Sequence, residues 1–109
     1  MMVLSTEIIT EGLVELGILE GSVADNLEQE NWRHFYMHGL GHFIGLDVHD
    51  VGNYKIDGED RPLKPGMVIT VEPGIYIPNW SGVRIEDDIV ITKNAYENLT
   101  KAPKHLIEL

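Results

Sequence analysis

Three histidines, His38, His42 and His49, fall within the thirteen-residue run His38-Gly39-Leu40-Gly41-His42-Phe43-Ile44-Gly45-Leu46-Asp47-Val48-His49-Asp50. Neutral imidazole is the commonest metal ligand and a general acid or base near neutral pH. The interleaved glycines let backbone pass close to a ligand or take positive φ. Any one of these histidines alone is more readily a hydrogen-bonded core or surface residue, so it is their clustering that points to an active-site loop. Glu72 closes the apolar, β-prone run Met67-Val68-Ile69-Thr70-Val71 and is followed by Pro73-Gly74. A charge at the end of a hydrophobic strand needs water, a cation or a donor, so either a metal or solvent exposure explains it. Arg84 and Glu86 fall on one polar face of a β-prone run, about 7 Å apart by strand rise, either converging on a site or forming a solvated cross-strand pair. Together, one His and two Glu (His42, Glu72, Glu86) could make an oxygen-rich, nitrogen-poor site suited to Mn(II) or a similar hard divalent ion. Three ligands are too few for two ions.

The elements that must position these groups follow from local pattern. Ser5 or Thr6 can cap a first helix on which Ile9, Leu13 and Leu16 recur near helical spacing until Gly17 ends it. Ser22 with Asp25 three residues on opens a short second helix through about Asn31. From His34 to Asp50 no period persists, which predicts strand edge and loop. Lys64-Pro65-Gly66-Met67 predicts a type II turn feeding a strand over 67–71. Pro73-Gly74 breaks it, Ile75 to Ile77 resumes extended chain, and 78–82 reads as loop. The last clear strand is predicted over Val83 to Thr92, with Val83, Ile85, Ile89 and Ile91 on one face and Arg84, Glu86 and Asp88 on the other. Asp87, on the apolar side, implies hydrogen bonding or an exit from the core there. Helices followed by strands, with no linker or repeat, predict an α+β fold with a mainly antiparallel, curved sheet.

At 109 residues the default is a single domain, and 43% hydrophobic with 24% charged residues is a globular composition. Eighteen acidic against eight basic residues give a formal net charge of −10. That repels nucleic acid and anionic membrane, so neither is an expected partner, although many proteins carry acidic excess simply for solubility. With no cysteine, disulfides, zinc thiolates and thiol nucleophiles are excluded. The first ten residues carry no export signal and no apolar run reaches bilayer length, so the expected location is cytoplasmic.

The motifs His-Gly-Leu-Gly-His-Phe-Ile-Gly-Leu-Asp-Val-His-Asp, Pro-Gly-Met-Val-Ile-Thr-Val-Glu-Pro-Gly-Ile-Tyr and Gly-Val-Arg-Ile-Glu-Asp-Asp-Ile-Val-Ile-Thr occur in this order. Together they span nearly the whole chain. The set resembles the C-terminal half of the pita-bread dinuclear metallopeptidases, most closely the Xaa-Pro aminopeptidase (aminopeptidase P) branch. The resemblance implies two divalent metal ions, Mn(II) first among them. It makes His42 a terminal ligand, Glu72 a ligand that also handles the proton of the attacking water, and Glu86 the carboxylate shared by both ions. It assigns His38 and His49 to substrate binding and stabilisation of the tetrahedral intermediate, and Arg84 to the arginine two residues before the shared glutamate. Methionine aminopeptidases usually carry glutamine at that place, so Arg84 favours the proline-directed branch. The implied substrate is a peptide with proline in second position. A prolidase-type dipeptidase shares many of these motifs, and a non-catalytic pita-bread binding module is the alternative of a different class.

The same family draws two further aspartate ligands from an earlier strand pair, and no such pair precedes the first helix here. The expectation is therefore that residues 1–109 are the C-terminal part of a pita-bread catalytic domain, inactive alone. The surface its first half would cover should drive homo-oligomerisation.

Overall fold

The computed structural model describes Met1–Leu109, which form two compact units: Met1–Leu40 with Pro73–Arg84, and Gly41–Glu72 with Ile85–Leu109. Two helices, α1 (Met2–Glu15) and α2 (Val23–Glu28), and a 3-10 turn (Asn31–His34) come first. Seven short strands follow: β1 (Lys55–Ile56), β2 (Glu59–Asp60), β3 (Val68–Val71), β4 (Gly74–Ile77), β5 (Ser81–Arg84), β6 (Asp87–Ile91) and β7 (Tyr96–Asn98). The class is α+β, and every strand pairing is antiparallel, divided among the sheets β1-β2, β3-β6-β7 and β4-β5.

The first unit packs the helices with the β4-β5 hairpin. Helix α1 starts ahead of Ser5 and Thr6, which therefore do not cap it. Their hydroxyls donate backward to the carbonyls of Met2 (2.8 Å) and Val3 (2.7 Å), the bond open to a hydroxyl inside a helix. Its buried face is Thr6, Ile9, Thr10 and Leu13, whereas Leu16 sits at the C-cap and is exposed. Gly17, at φ +72, ends the helix as expected. Ser22 Oγ accepts from the Asp25 amide at 3.0 Å and caps α2. That helix stops at Glu28, short of Asn31, because the chain turns through Glu30 at φ +54 into the 3-10 turn. The turn carries Trp32 inward, and Ile9, Leu13, Trp32 and Tyr36 form the core, with Leu19, Leu27 and Ile75 packed against it.

The second unit is built on β3. Gly66, at φ +89, makes the expected turn, closed by the Met67 amide on the Lys64 carbonyl at 3.1 Å. One edge of β3 pairs with β6. Its other edge takes the histidine-rich loop: Phe43 bridges Ile69, the Thr70 amide donates to the His42 carbonyl (2.8 Å), and the Ile44 amide to the Val68 carbonyl (3.2 Å).

The strand expected over Val83 to Thr92 is two strands. β5 pairs with β4 and β6 with β3, so the chain changes partner at Ile85-Glu86 and the two-residue period does not run across the join. Arg84 and Glu86 therefore do not share a strand face, and Ile85 is exposed. Sequence reading passed over one hairpin and over the strand that follows Lys93-Asn94, which reads only as a turn. Asp57-Gly58, both at positive φ, turns β1 into β2, the strongest short hairpin signal there is. The Lys93-Asn94 turn leads into β7, which pairs back on β6. No helix is long and apolar enough to cross a membrane.

Candidate metal centre

Within the second unit, His42, Glu72 and Glu86 each offer one ligand atom, and these atoms lie within 4.8 Å of one another. Three different devices bring them there. Pairing of residues 42–44 with β3 fixes His42, the end of β3 delivers Glu72, and the change of partner between β5 and β6 releases Glu86 from any strand. His42 and Glu72 are mostly covered, with side chains 19% and 14% exposed, while Glu86 is exposed.

His42 Nδ1 lies 2.9 Å from the Phe43 carbonyl oxygen. A carbonyl only accepts, so Nδ1 carries the proton and donates. In the neutral ring this leaves the Nε2 lone pair as a ligand, the arrangement that commonly orients a metal-binding imidazole. Nε2 stands 3.2 Å from Glu72 Oε1. A lone pair and a carboxylate oxygen facing at that distance repel unless a cation, a proton or a metal ion, is shared between them. With Glu86 as a second carboxylate, the donor set fits a hard or borderline divalent ion and offers nothing to a thiophilic one.

Thr70 joins these two ligands. Its side chain is buried, its Oγ1 accepts from the His42 amide at 2.9 Å, and it donates to Glu72 Oε1 at 3.0 Å. Sequence reading missed it, although period two along β3 puts residues 70 and 72 on one face. A Cβ at Gly41 would overlap the Thr70 carbonyl oxygen, so this close approach of loop to strand requires glycine.

His49 also lies here: the loop 43–50 folds back through the Asp50 amide on the Phe43 carbonyl (3.0 Å), and the His49 ring centroid is 4.4 Å from that of His42. Asp87, flagged for its place on the apolar side, forms an ion pair there. Lys104 Nζ stands 2.9 Å from its Oδ1 and holds the carboxyl below the ordinary range, with a further contribution from Asn98.

His38 and Arg84 belong to the first unit. His38 Nδ1 donates to the Gly39 carbonyl at 2.7 Å, which leaves Nε2 of the neutral ring to accept from the Tyr76 hydroxyl at 2.9 Å. Tyr36 and Tyr76 meet this ring edge to face, at 5.1 and 5.5 Å. Tyr76 is a second partner that sequence reading did not single out. Arg84 is exposed at the end of β5, opposite Gly74 of β4.

Residues 6–93 match the family model for metallopeptidase family M24. The chain is 52% identical over 110 residues to an Xaa-Pro aminopeptidase of Haemophilus influenzae, covering 92% of this chain and 25% of that protein. It is 38% identical over 144 residues to an Xaa-Pro dipeptidase of Rattus norvegicus, covering 97% of this chain and 29% of that one. Among solved structures, aminopeptidase P from E. coli with the inhibitor Pro-Leu superposes with a TM-score of 0.81 at 52% identity, over 88% of this chain and 24% of that one. The chain thus spans about a quarter of the length of the relatives it matches. Within that stretch it shares their fold, and on its matched motifs and sheet arrangement the chain belongs to metallopeptidase family M24.

Proposed function

We propose that residues 1–109 are the C-terminal part of a pita-bread catalytic domain, and that the enzyme so formed hydrolyses the bond between an N-terminal residue and a following proline. The observation that carries this reading is the convergence of one imidazole and two carboxylates within 4.8 Å in a member of this family. The E. coli relative binds Pro-Leu, which is the dipeptide left when Xaa-Pro-Leu loses its first residue, and this supports a substrate with proline in second position.

His42 Nε2, Glu72 and Glu86 would hold the metal, with Glu86 serving both ions of a pair, and the oxygen-rich donor set favours Mn(II). When bound, the two ions supply an acidified water and an electrophile for the scissile carbonyl. Glu72 would take the proton of the attacking water on its carboxylate. His49, packed on His42, and His38 hydrogen-bond the substrate and the oxygen that gains charge. Arg84 is assigned to the same site by its place two residues before Glu86. In solution the chain associates through its exposed apolar surface.

A chimera tests this: the chain replaces the matching segment of E. coli aminopeptidase P, which supplies the remaining part of the fold. Mn(II)-dependent release of the first residue from an Xaa-Pro-Leu tripeptide is the expected result, lost in the Glu86→Gln chimera. A folded, Mn(II)-loaded chimera without turnover overturns the proposal. The identity to an Xaa-Pro dipeptidase over 97% of the chain favours one second reading, hydrolysis confined to dipeptides. Turnover of Gly-Pro but not of the tripeptide selects it.

A further inference from the structure

Glu72 Oε1 lies 3.2 Å from His42 Nε2 and 3.0 Å from Thr70 Oγ1. A threonine hydroxyl has one proton. Because Oγ1 is already the acceptor for the His42 amide at 2.9 Å, that proton is free to point at Oε1. The Thr70 amide meanwhile donates to the His42 carbonyl at 2.8 Å. One residue thus holds both backbone polar groups of His42 and one oxygen of the Glu72 carboxylate. Thr70 is 1% exposed, so water cannot replace its hydroxyl, and its β-branched side chain is confined to few rotamers.

We infer that Thr70 is a positioning residue for the metal centre: its hydroxyl sets the plane of the Glu72 carboxylate and locks it to the backbone that carries His42. This rests on the reading of His42, Glu72 and Glu86 as metal ligands. The bond fixes which way Oε1 faces, and so limits the carboxylate rotamers among which a metal ion must select. Groups in this supporting position typically change metal affinity about 10–100-fold when removed. A threonine that served only to satisfy buried backbone would lower the melting temperature without altering the affinity of the folded chain.

The test is Mn(II) titration of the 109-residue chain, read as paramagnetic broadening of histidine ring signals by NMR, together with His42 amide exchange measured without metal. Wild type shows saturable broadening centred on His42, and Glu86→Gln loses it. Thr70→Ser, which keeps the hydroxyl, holds the affinity within about twofold, whereas Thr70→Val weakens it about 10–100-fold. The His42 amide of Thr70→Val also exchanges faster. If Thr70→Val exchanges faster yet binds Mn(II) as wild type does, while Glu86→Gln does not bind, the inference is overturned and the metal centre stands. If wild type gives no broadening at His42, the metal centre falls and takes this role with it. Should Thr70→Val lose its amide dispersion, Thr70→Cys, a weak donor and acceptor of similar size, carries the comparison to the same two outcomes.

Discussion

Glu86 is the exposed member of the candidate ligand trio. Glu86→Gln keeps the side-chain shape and removes a hard anionic donor. Mn(II) affinity should fall by at least about tenfold, checked by calorimetric titration. Gly41 is the opposite case, since it carries no chemistry and decides geometry. Its Cβ would strike the Thr70 carbonyl oxygen, so Gly41→Ala must displace the His42 segment from β3. The expected cost is about 1–3 kcal/mol, measured by urea unfolding, with weakened Mn(II) binding in the folded protein. At this scale residue type left His42, Glu72 and Glu86 each open between a ligand and a solvated or hydrogen-bonded group, and their motifs singled them out. It was silent on Thr70 and Tyr76, because a hydroxyl in a β-prone run looks the same whether it faces solvent or a carboxylate.

Among the elements, α2 depends most on a single side chain. Its six residues are too few to hold a helix by propensity, and Ser22 satisfies one of the free amides at its start. Ser22→Ala should destabilise the chain by about 1 kcal/mol, read from thermal unfolding. Past the end of that helix the Arg33 guanidinium, 2.9 Å from Glu30, holds the Glu30 carboxyl below its ordinary value of 4.5. A carboxyl whose pKa is depressed by folding contributes stability above its unfolded pKa. That contribution is lost as pH falls below 4.5 through the lower folded value. The melting-temperature gap between wild type and Arg33→Ala should therefore be present at pH 6 and narrow below pH 4.5, and salt should narrow it as well. Both helices, the Lys64–Met67 turn and β3 were legible because their signals are local. The join between β5 and β6 was not. A two-residue period reports which way side chains alternate, and it continues unchanged where a strand exchanges one partner for another.

For the whole chain, the three candidate ligands set a limit. They can hold one ion and fall short of a pair, so the 109-residue chain by itself should give no appreciable hydrolysis of Xaa-Pro peptides with Mn(II). Robust turnover abolished by Glu86→Gln would overturn that expectation. Val3, Leu4 and Ile8 leave apolar surface exposed on α1, and Val48 and Val51 do so in the second unit. Sedimentation should show concentration-dependent association, reduced by Ile8→Glu. The sequence by itself determined the donor chemistry, imidazole and carboxylate without thiolate, together with the Ser22 cap, the Lys64–Met67 turn and the antiparallel habit of the strands. These depend on the residue and its near neighbours. Only the tertiary structure decided that residues 42, 72 and 86 meet, that Thr70 ties two of them together, and that a change of strand partner falls between Arg84 and Glu86. Each of those facts is a pairing between segments distant in the chain, and no local pattern encodes which partner a sheet edge will take.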